Sequence, residues 1–276
     1  MTTIAIIGAG AMGSAVAARL TQRGARAVTR LDGRSEASRA RAVAAGMSDV
    51  SFEDMAHAAM VLSIVPPAAA GAVVEELGPL FALPASPVFC DANACNPQTK
   101  RRLAARVAEL GGQMVDGAII GPPPSDAADP RLYLSGERAQ EVAALTGFGI
   151  DTRVLKGPIG AAAALKMCYG GINKGCIALV TALLLAAERN GAAEDLVAEL
   201  ATSQKPLLER SRKQIPDMYP KAWRWDPEMR EIAGFLEPDD PAAAAIWHAL
   251  ARFYAERARA DEAAIELPVL EALLET

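Results

Sequence analysis

The stretch Ile4-Ala5-Ile6-Ile7-Gly8-Ala9-Gly10-Ala11-Met12-Gly13 decides the fold. Apolar, mostly β-branched residues run into three glycines spaced GxGxxG, and helical periodicity follows at once. A strand, a tight turn and a helix start are therefore contiguous. Gly8 allows the turn, Gly10 lets a pyrophosphate approach the backbone, and Gly13 lets the helix pack close to the strand. The helix start at Ala11 and Met12 offers unpaired N–H groups and a partial positive charge to phosphate. The glycine pattern alone is weak evidence. Flanked by a strand and a helix, it has the context of a dinucleotide-binding fingerprint.

Working outward, strand-like and helix-like segments alternate up to about residue 157. Strands are expected at 3–7, 26–31, 60–65, 87–91, 114–120, 131–135 and 153–155. Between them the helical pattern covers 11–23, 36–45, 69–77 and a segment opened by Asn96-Pro97 and closed by Gly111. Continuous apolar strands alternating with helices predict a parallel sheet covered on both faces. Beyond this point strands disappear. One long helix is expected over 159–189, then helices over 192–203, 205–213, 228–235 and 242–260. The expected architecture is a Rossmann-type α/β domain over 1–157, followed by an all-α substrate and dimerisation domain over 158–276 that opens with the connecting helix.

The 276 residues suit two domains at about 150 residues each. Lys and Arg number 28 against 33 Asp and Glu, for a net charge of −5 with no basic block. That argues against a nucleic-acid or anionic-membrane surface. The four cysteines form no CxxC pair and the two histidines are far apart, so no metal site is expected. Unpaired thiols, the absence of a basic leader and apolar runs too short to span a bilayer fit a cytoplasmic protein.

Asp32, 19 residues after Gly13, stands near the place where an acid holds the ribose 2′-OH of NAD. Gly33-Arg34-Ser35 follows, and a guanidinium with a hydroxyl at a helix start suits a 2′-phosphate. The pattern favours NADP, with NAD as the alternative. On the long helix, Lys166 is surrounded by small and apolar residues. Burial would lower its pKa toward neutrality, as a proton-transfer group needs; the alternative is a lysine snorkelling to solvent. Asn173 lies seven residues further on and shares its helix face, with Gly170 between them leaving room for a ligand.

These residues resemble the β-hydroxyacid dehydrogenase superfamily, which includes 6-phosphogluconate and 3-hydroxyisobutyrate dehydrogenases. The likeness is carried by residues 6–13, Leu62-Ser-Ile-Val-Pro66-Pro67, Phe89-Cys-Asp91-Ala-Asn93, Val115-Asp116-Gly-Ala and residues 160–171. Ser203-Gln204-Lys205-Pro206 and the segment 220–233 resemble a branch whose C-terminal domain has no assigned function. The resemblance implies a nicotinamide dehydrogenase working in a cleft between domains, with Lys166 as general acid/base and Asn173 beside it. Val65, Pro66 and Asn93 would border the cofactor, and a homodimer is implied. Two departures matter. The family's asparagine and glutamate, four and seven residues after the lysine, are Gly170 and Asn173 here. Its serine-glycine-glycine substrate loop is replaced by Ile120-Gly121-Pro122-Pro123-Pro124. Substrate-binding candidates are Gly121, Pro122, Tyr169, Gly170, Lys221 and Arg224, the last two as anion binders. Three functions stay open: a hydroxyl/carbonyl dehydrogenase, an imine reductase, and a dinucleotide-binding sensor without turnover. Lys166 favours the first.

Overall fold

The computed structural model describes residues 1–84 and 86–275. The chain divides into two compact units, Met1–Lys166 and Met167–Thr276.

The first unit runs β1 (Thr3–Ile7), α1 (Ala11–Gln22), β2 (Arg26–Thr29), α2 (Glu36–Ala44), β3 (Ser48–Asp49), α3 (Phe52–Met55), β4 (Met60–Ser63), α4 (Ala70–Glu76), α5 (Gly78–Phe81), β5 (Val88–Asp91), α6 (Pro97–Glu109), β6 (Met114–Ile120), β7 (Arg131–Ser135), α7 (Ala139–Val142) and β8 (Asp151–Val154). It ends in the first turns of α8 (Ala161–Arg189). The sheet order is β3-β2-β1-β4-β5-β6-β7-β8. Strand order reverses between β1 and β4, and the carboxyl ends of strands beside such a reversal form the ligand-binding crevice of this architecture.

Successive side chains point to opposite faces of a strand, and here both faces are covered. Ile4, Ile6, Leu62, Cys90 and Val115 pack into one core, and Ala5, Ile7, Val61 and Phe89 into the other. Each fully buried Ile, Leu or Phe contributes roughly 1.5–3 kcal/mol.

The sheet is parallel as expected except at one pair, since β7 runs antiparallel to β6. Residues 121–130 join them without a helix, and a parallel return needs a longer crossover. The two-residue strand β3 was not expected. Strand β4 stops at Ser63 rather than reaching Val65. Ile64 N–H still bonds to Ile7 O, but Val65 N–H donates to the Asn93 side chain.

The second unit holds the rest of α8, then α9 (Ala193–Ser203), α10 (Lys205–Met218), α11 (Ala222–Leu236), α12 (Pro241–Arg257) and α13 (Ala260–Glu275). Three helices differ from expectation for one reason. Pro216, Pro227 and Pro268 lie inside α10, α11 and α13. Each proline removes a backbone hydrogen bond, at about 3 kcal/mol. Burial of Ile215 and Met218, of Met229 and Ile232, and of Leu270 and Leu274 outweighs that penalty. Helix α10 therefore continues past Lys213, α11 starts before Glu228, and α13 exists at all.

Helix α8 packs Ile177, Ala178, Leu184 and Leu185 into the core of the second unit. Its other face is apolar and open: Ile172, Leu179 and Leu183 are 63%, 60% and 62% exposed. The sequence expectation saw only a short apolar run here, residues 175–187, and read it as a buried helix. Over its most apolar 18 residues, however, the helix has a mean hydropathy of 1.6. By length and composition alone it could cross a membrane.

Candidate active site

The phosphate loop is built by steric exclusion. Gly8 has φ +109°, and a Cβ there would collide with the Ile64 carbonyl. A Cβ on Gly13 would collide with the Gly8 carbonyl oxygen. A Cβ on Gly10 would meet nothing within 4 Å. Two glycines are thus required by the protein's own backbone, and the third faces open space. Gly10 is also the N-cap of α1, and no side chain caps that terminus. The first-turn N–H groups of Ala11, Met12 and Gly13 have no partners within the helix. This cradle fits a pyrophosphate.

At the end of β2 the exposed Asp32 pairs with Arg30 at 3.0 Å. Arg34 pairs with Glu76 at 3.3 Å, with both side chains well exposed. Ser35 caps α2 by accepting from Ser38 N–H. Sequence reasoning missed Arg41. Its Nε donates to the Ala9 carbonyl at 2.7 Å, and its Nη2 donates to Ser38 Oγ at 3.2 Å. A cation on α2 is thereby fastened to the phosphate loop. The only signal in the sequence was the run Ser38-Arg-Ala-Arg41, which also reads as a solvated helix face.

Next to the loop, Asn93 braces the turn after β4. Its Oδ1 accepts from Val65 N–H at 2.6 Å, and its Nδ2 donates to Asp91 Oδ2 at 2.7 Å and Ser63 Oγ at 3.1 Å. Asn93 is buried, while Pro66 is exposed. Beneath this turn lies a charged cluster that the sequence did not reveal as one. Lys100, Asp91 and Asp116 are each fully buried. The Lys100 ammonium donates to Asp91 Oδ1, to the Asp91 carbonyl at 2.5 Å and to the Gly117 carbonyl at 3.1 Å. It also lies 3.3 Å from Asp116 Oδ1. Burial pulls the Lys100 pKa down, but the two carboxylates outweigh it and the net shift is upward. Burial pushes the neighbouring Cys90 thiol well above its ordinary range, so it stays protonated.

Asp116 carries this cluster to the helix bearing Lys166. Its Oδ2 accepts from Gly160 N–H at 3.0 Å, Ala163 N–H at 3.1 Å and Ser135 Oγ at 3.1 Å. Ser135 Oγ in turn accepts from Ala162 N–H at 3.1 Å. Two side chains from the sheet therefore take the N–H groups of Gly160, Ala162 and Ala163 at the start of α8, while Ala161 N–H donates to the Pro158 carbonyl. Lys166 follows on the same helix and is half-buried.

Asn173 donates from Nδ2 to the Tyr169 carbonyl at 3.0 Å, and its Oδ1 stands 3.5 Å from the Arg210 guanidinium. Tyr169 is half exposed, and Gly170 has only Lys174 Nζ near a would-be Cβ, at 3.7 Å. Lys221 is paired with Asp217 at 2.8 Å, and Arg224 is exposed. Gly121, at φ +124°, and the exposed Pro122 begin the loop between β6 and β7.

Comparison with known proteins bears on the fold and the family. Residues 187–256 match a domain of unknown function, DUF1932. The structure of the conserved protein MTH1747, of unknown function and described as similar to 3-hydroxyacid dehydrogenases, superposes with a TM-score of 0.81. The two share 28% identity over 92% of this chain and 96% of that one. A 3-hydroxyisobutyrate dehydrogenase from Mycobacterium tuberculosis, solved with L-serine, shares the fold with a TM-score of 0.73 and 20% identity over 100% and 98% of the two chains. An imine reductase from Streptomyces aurantiacus shares it with a TM-score of 0.58 and 21% identity over the whole of both. Residues 3–174 match the NAD binding domain of 6-phosphogluconate dehydrogenase, and with the phosphate cradle in place the chain belongs to that family.

Proposed function

We propose that the protein is an NAD(P)-dependent oxidoreductase that interconverts a hydroxyl and a carbonyl group on a small, β-hydroxy acid-like substrate. One observation carries this reading: Lys166 stands on a helix whose first turn Asp116 ties to the sheet bearing the phosphate cradle. The first-turn N–H groups of α1 hold the pyrophosphate. Arg34 and Ser35 take a 2′-phosphate, which makes NADP the preferred cofactor; Asp32 would take the ribose hydroxyl of NAD. A nicotinamide cofactor held by these residues would supply the hydride chemistry. In the oxidative direction Lys166 Nζ receives the hydroxyl proton, and in the reductive direction it returns that proton to the carbonyl oxygen. Asn173 holds a substrate oxygen but cannot act as a carboxylic acid. The reaction therefore ends at the carbonyl compound, without acid-assisted decarboxylation. Gly121, Pro122, Tyr169 and Gly170 border the substrate, and Lys221 and Arg224 attract its anionic group.

The test follows nicotinamide absorbance with NADP and NAD against 3-hydroxyisobutyrate, L-serine and a panel of carbonyl compounds and imines. General acid/base help is worth about 10²–10⁴-fold. Lys166→Met should lower kcat by that order and leave NADPH affinity nearly unchanged. A variant that keeps most of its kcat removes the lysine from the mechanism. Turnover of imines alone would favour the reductase reading. Absence of turnover with tight NADPH binding would favour a sensor.

The protein is also proposed to act as a homodimer. Leu165, Cys168, Ile172, Cys176, Leu179, Leu183 and Ala186 recur every three or four residues along one face of α8. The stripe is uncharged and includes the exposed Ile172, Leu179 and Leu183. A second copy laid along it would bury that surface in a self-complementary contact. Sedimentation should show a dimer that Leu179→Glu with Leu183→Glu converts to monomer. A monomeric unmutated protein would overturn the proposal.

A further inference from the structure

We infer that Lys100, Asp91 and Asp116 form a positioning unit for the proposed reaction, locking the Val65 turn and the first turn of α8 to one another and so fixing where Lys166 stands. The inference rests on the role proposed for Lys166.

An unbroken chain of contacts runs from Val65 N–H to Asn93, from Asn93 to Asp91, from Asp91 to Lys100, from Lys100 to Asp116, and from Asp116 to Gly160 and Ala163. It joins the carboxyl ends of β4 and β5 to the interior of β6 and to the helix start. One ammonium and two carboxylates leave a single net negative charge in the core. The partial positive charge at the N-terminus of the 29-residue α8 lies against that charge. Cluster and helix therefore compensate one another, and neither is satisfied alone.

Stability does not call for such an arrangement. Buried ion pairs can commonly be exchanged for apolar side chains of similar volume at no loss. What a buried charge cluster adds, with Asp116 Oδ2 hydrogen-bonded three times and Oδ1 held by the Lys100 ion pair alone, is a restricted geometry. Lys166 lies three residues beyond Ala163, about 4.5 Å along the helix axis. A displacement of about 1 Å at a reacting group can lower a rate about 100-fold.

Lys100→Met would leave two carboxylates facing each other in the core and is expected not to fold. Asp116→Asn keeps an acceptor for the helix and removes the charge. Ser135→Ala is milder, deleting one donor to Asp116 and the acceptor of Ala162 N–H. Both variants would be assayed with NADPH and a carbonyl compound turned over by the unmutated protein. NADPH affinity and amide hydrogen exchange would be measured beside kcat. In Asp116→Asn, kcat should fall about 10- to 100-fold, while the NADPH dissociation constant changes less than about 3-fold. Exchange at residues 160–163 should speed up at least about 10-fold, with the amides of β1 unchanged. Ser135→Ala should move kcat and exchange in the same direction by less.

Unchanged kcat in Asp116→Asn would overturn the inference. So would parallel loss of kcat and NADPH affinity in both variants, which is the signature of general loosening. If Lys166→Met keeps its kcat, the proton-transfer role fails separately. The lock on the first turn of α8 is then upheld or overturned by exchange at residues 160–163 in Asp116→Asn alone.

Discussion

Two helix starts in the first unit are built in opposite ways. Helix α1 begins at Gly10 with no side-chain cap and with open space where a Cβ would stand. Helix α8 begins against Asp116 and Ser135, which take the N–H groups of Gly160, Ala162 and Ala163. Both termini carry the same partial positive charge. One is kept for an anion from outside, and the other is neutralised by an anion from the sheet. A helix that must receive a ligand leaves its first turn unspent, whereas a helix that must present a side chain at a fixed place has its first turn tied down.

The strongest way to break this contrast is to cap α1. In Gly10→Asp the new side chain enters open space, and aspartate is a better N-cap than glycine by a few tenths of a kcal/mol. Melting temperature should hold or rise slightly. NADPH affinity should fall about 100- to 1000-fold, because like charges brought together cost several kcal/mol. Titration beside thermal melting checks both halves, and unchanged affinity would mean that the α1 terminus does not carry the pyrophosphate.

A smaller effect sharpens what the open terminus selects. Arg34→Ala should weaken NADPH binding about 10- to 100-fold and leave NADH nearly unaffected, since a charge-assisted contact is worth about 1.5–3 kcal/mol. Glu76→Ala, which releases Arg34 from its surface partner, should tighten NADPH slightly. Equal affinities for the two cofactors in the unmutated protein would assign the pocket to Asp32.

The phosphate loop was legible because its constraint is local. Gly8 and Gly13 are dictated by backbone atoms close to them in sequence or on the adjacent strand, so a short pattern records them. The charged cluster was not. Lys100 stands in Lys100-Arg-Arg-Leu, where it reads as one more solvated cation. Its neighbours Arg101 and Arg102 are exposed, while Lys100 is wholly buried. Only the meeting of β5, β6 and α6 identifies its partners. Asp116 bonds to residues 44 and 47 positions away, a separation that no local pattern encodes. In the second unit, prolines that end helices by local propensity are carried by buried neighbours.

The smallest effect concerns pH. Lys100 has a folded pKa raised above its unfolded value near 10.4. Its contribution to stability is fully present below that unfolded value and is lost as pH rises through the folded one. The urea midpoint should therefore show no Lys100-dependent change from about pH 7 to pH 10 and should fall above that. A steady fall with a midpoint near pH 8 would mean that the lysine is already neutral in the core.

The capping of α8 from the sheet also bears on anyone dividing this gene into separately expressed halves. A break placed where the strand pattern ends, at residue 157, would keep Asp116 in the first fragment and discard Gly160 and Ala163. The carboxylate would retain Ser135 and Lys100 but lose two backbone donors, each worth about 1.5–3 kcal/mol to a charged acceptor. Fragment autonomy is thus set by a handful of amides past the apparent seam, and a soluble nucleotide-binding half needs the opening turns of α8 in its reading frame.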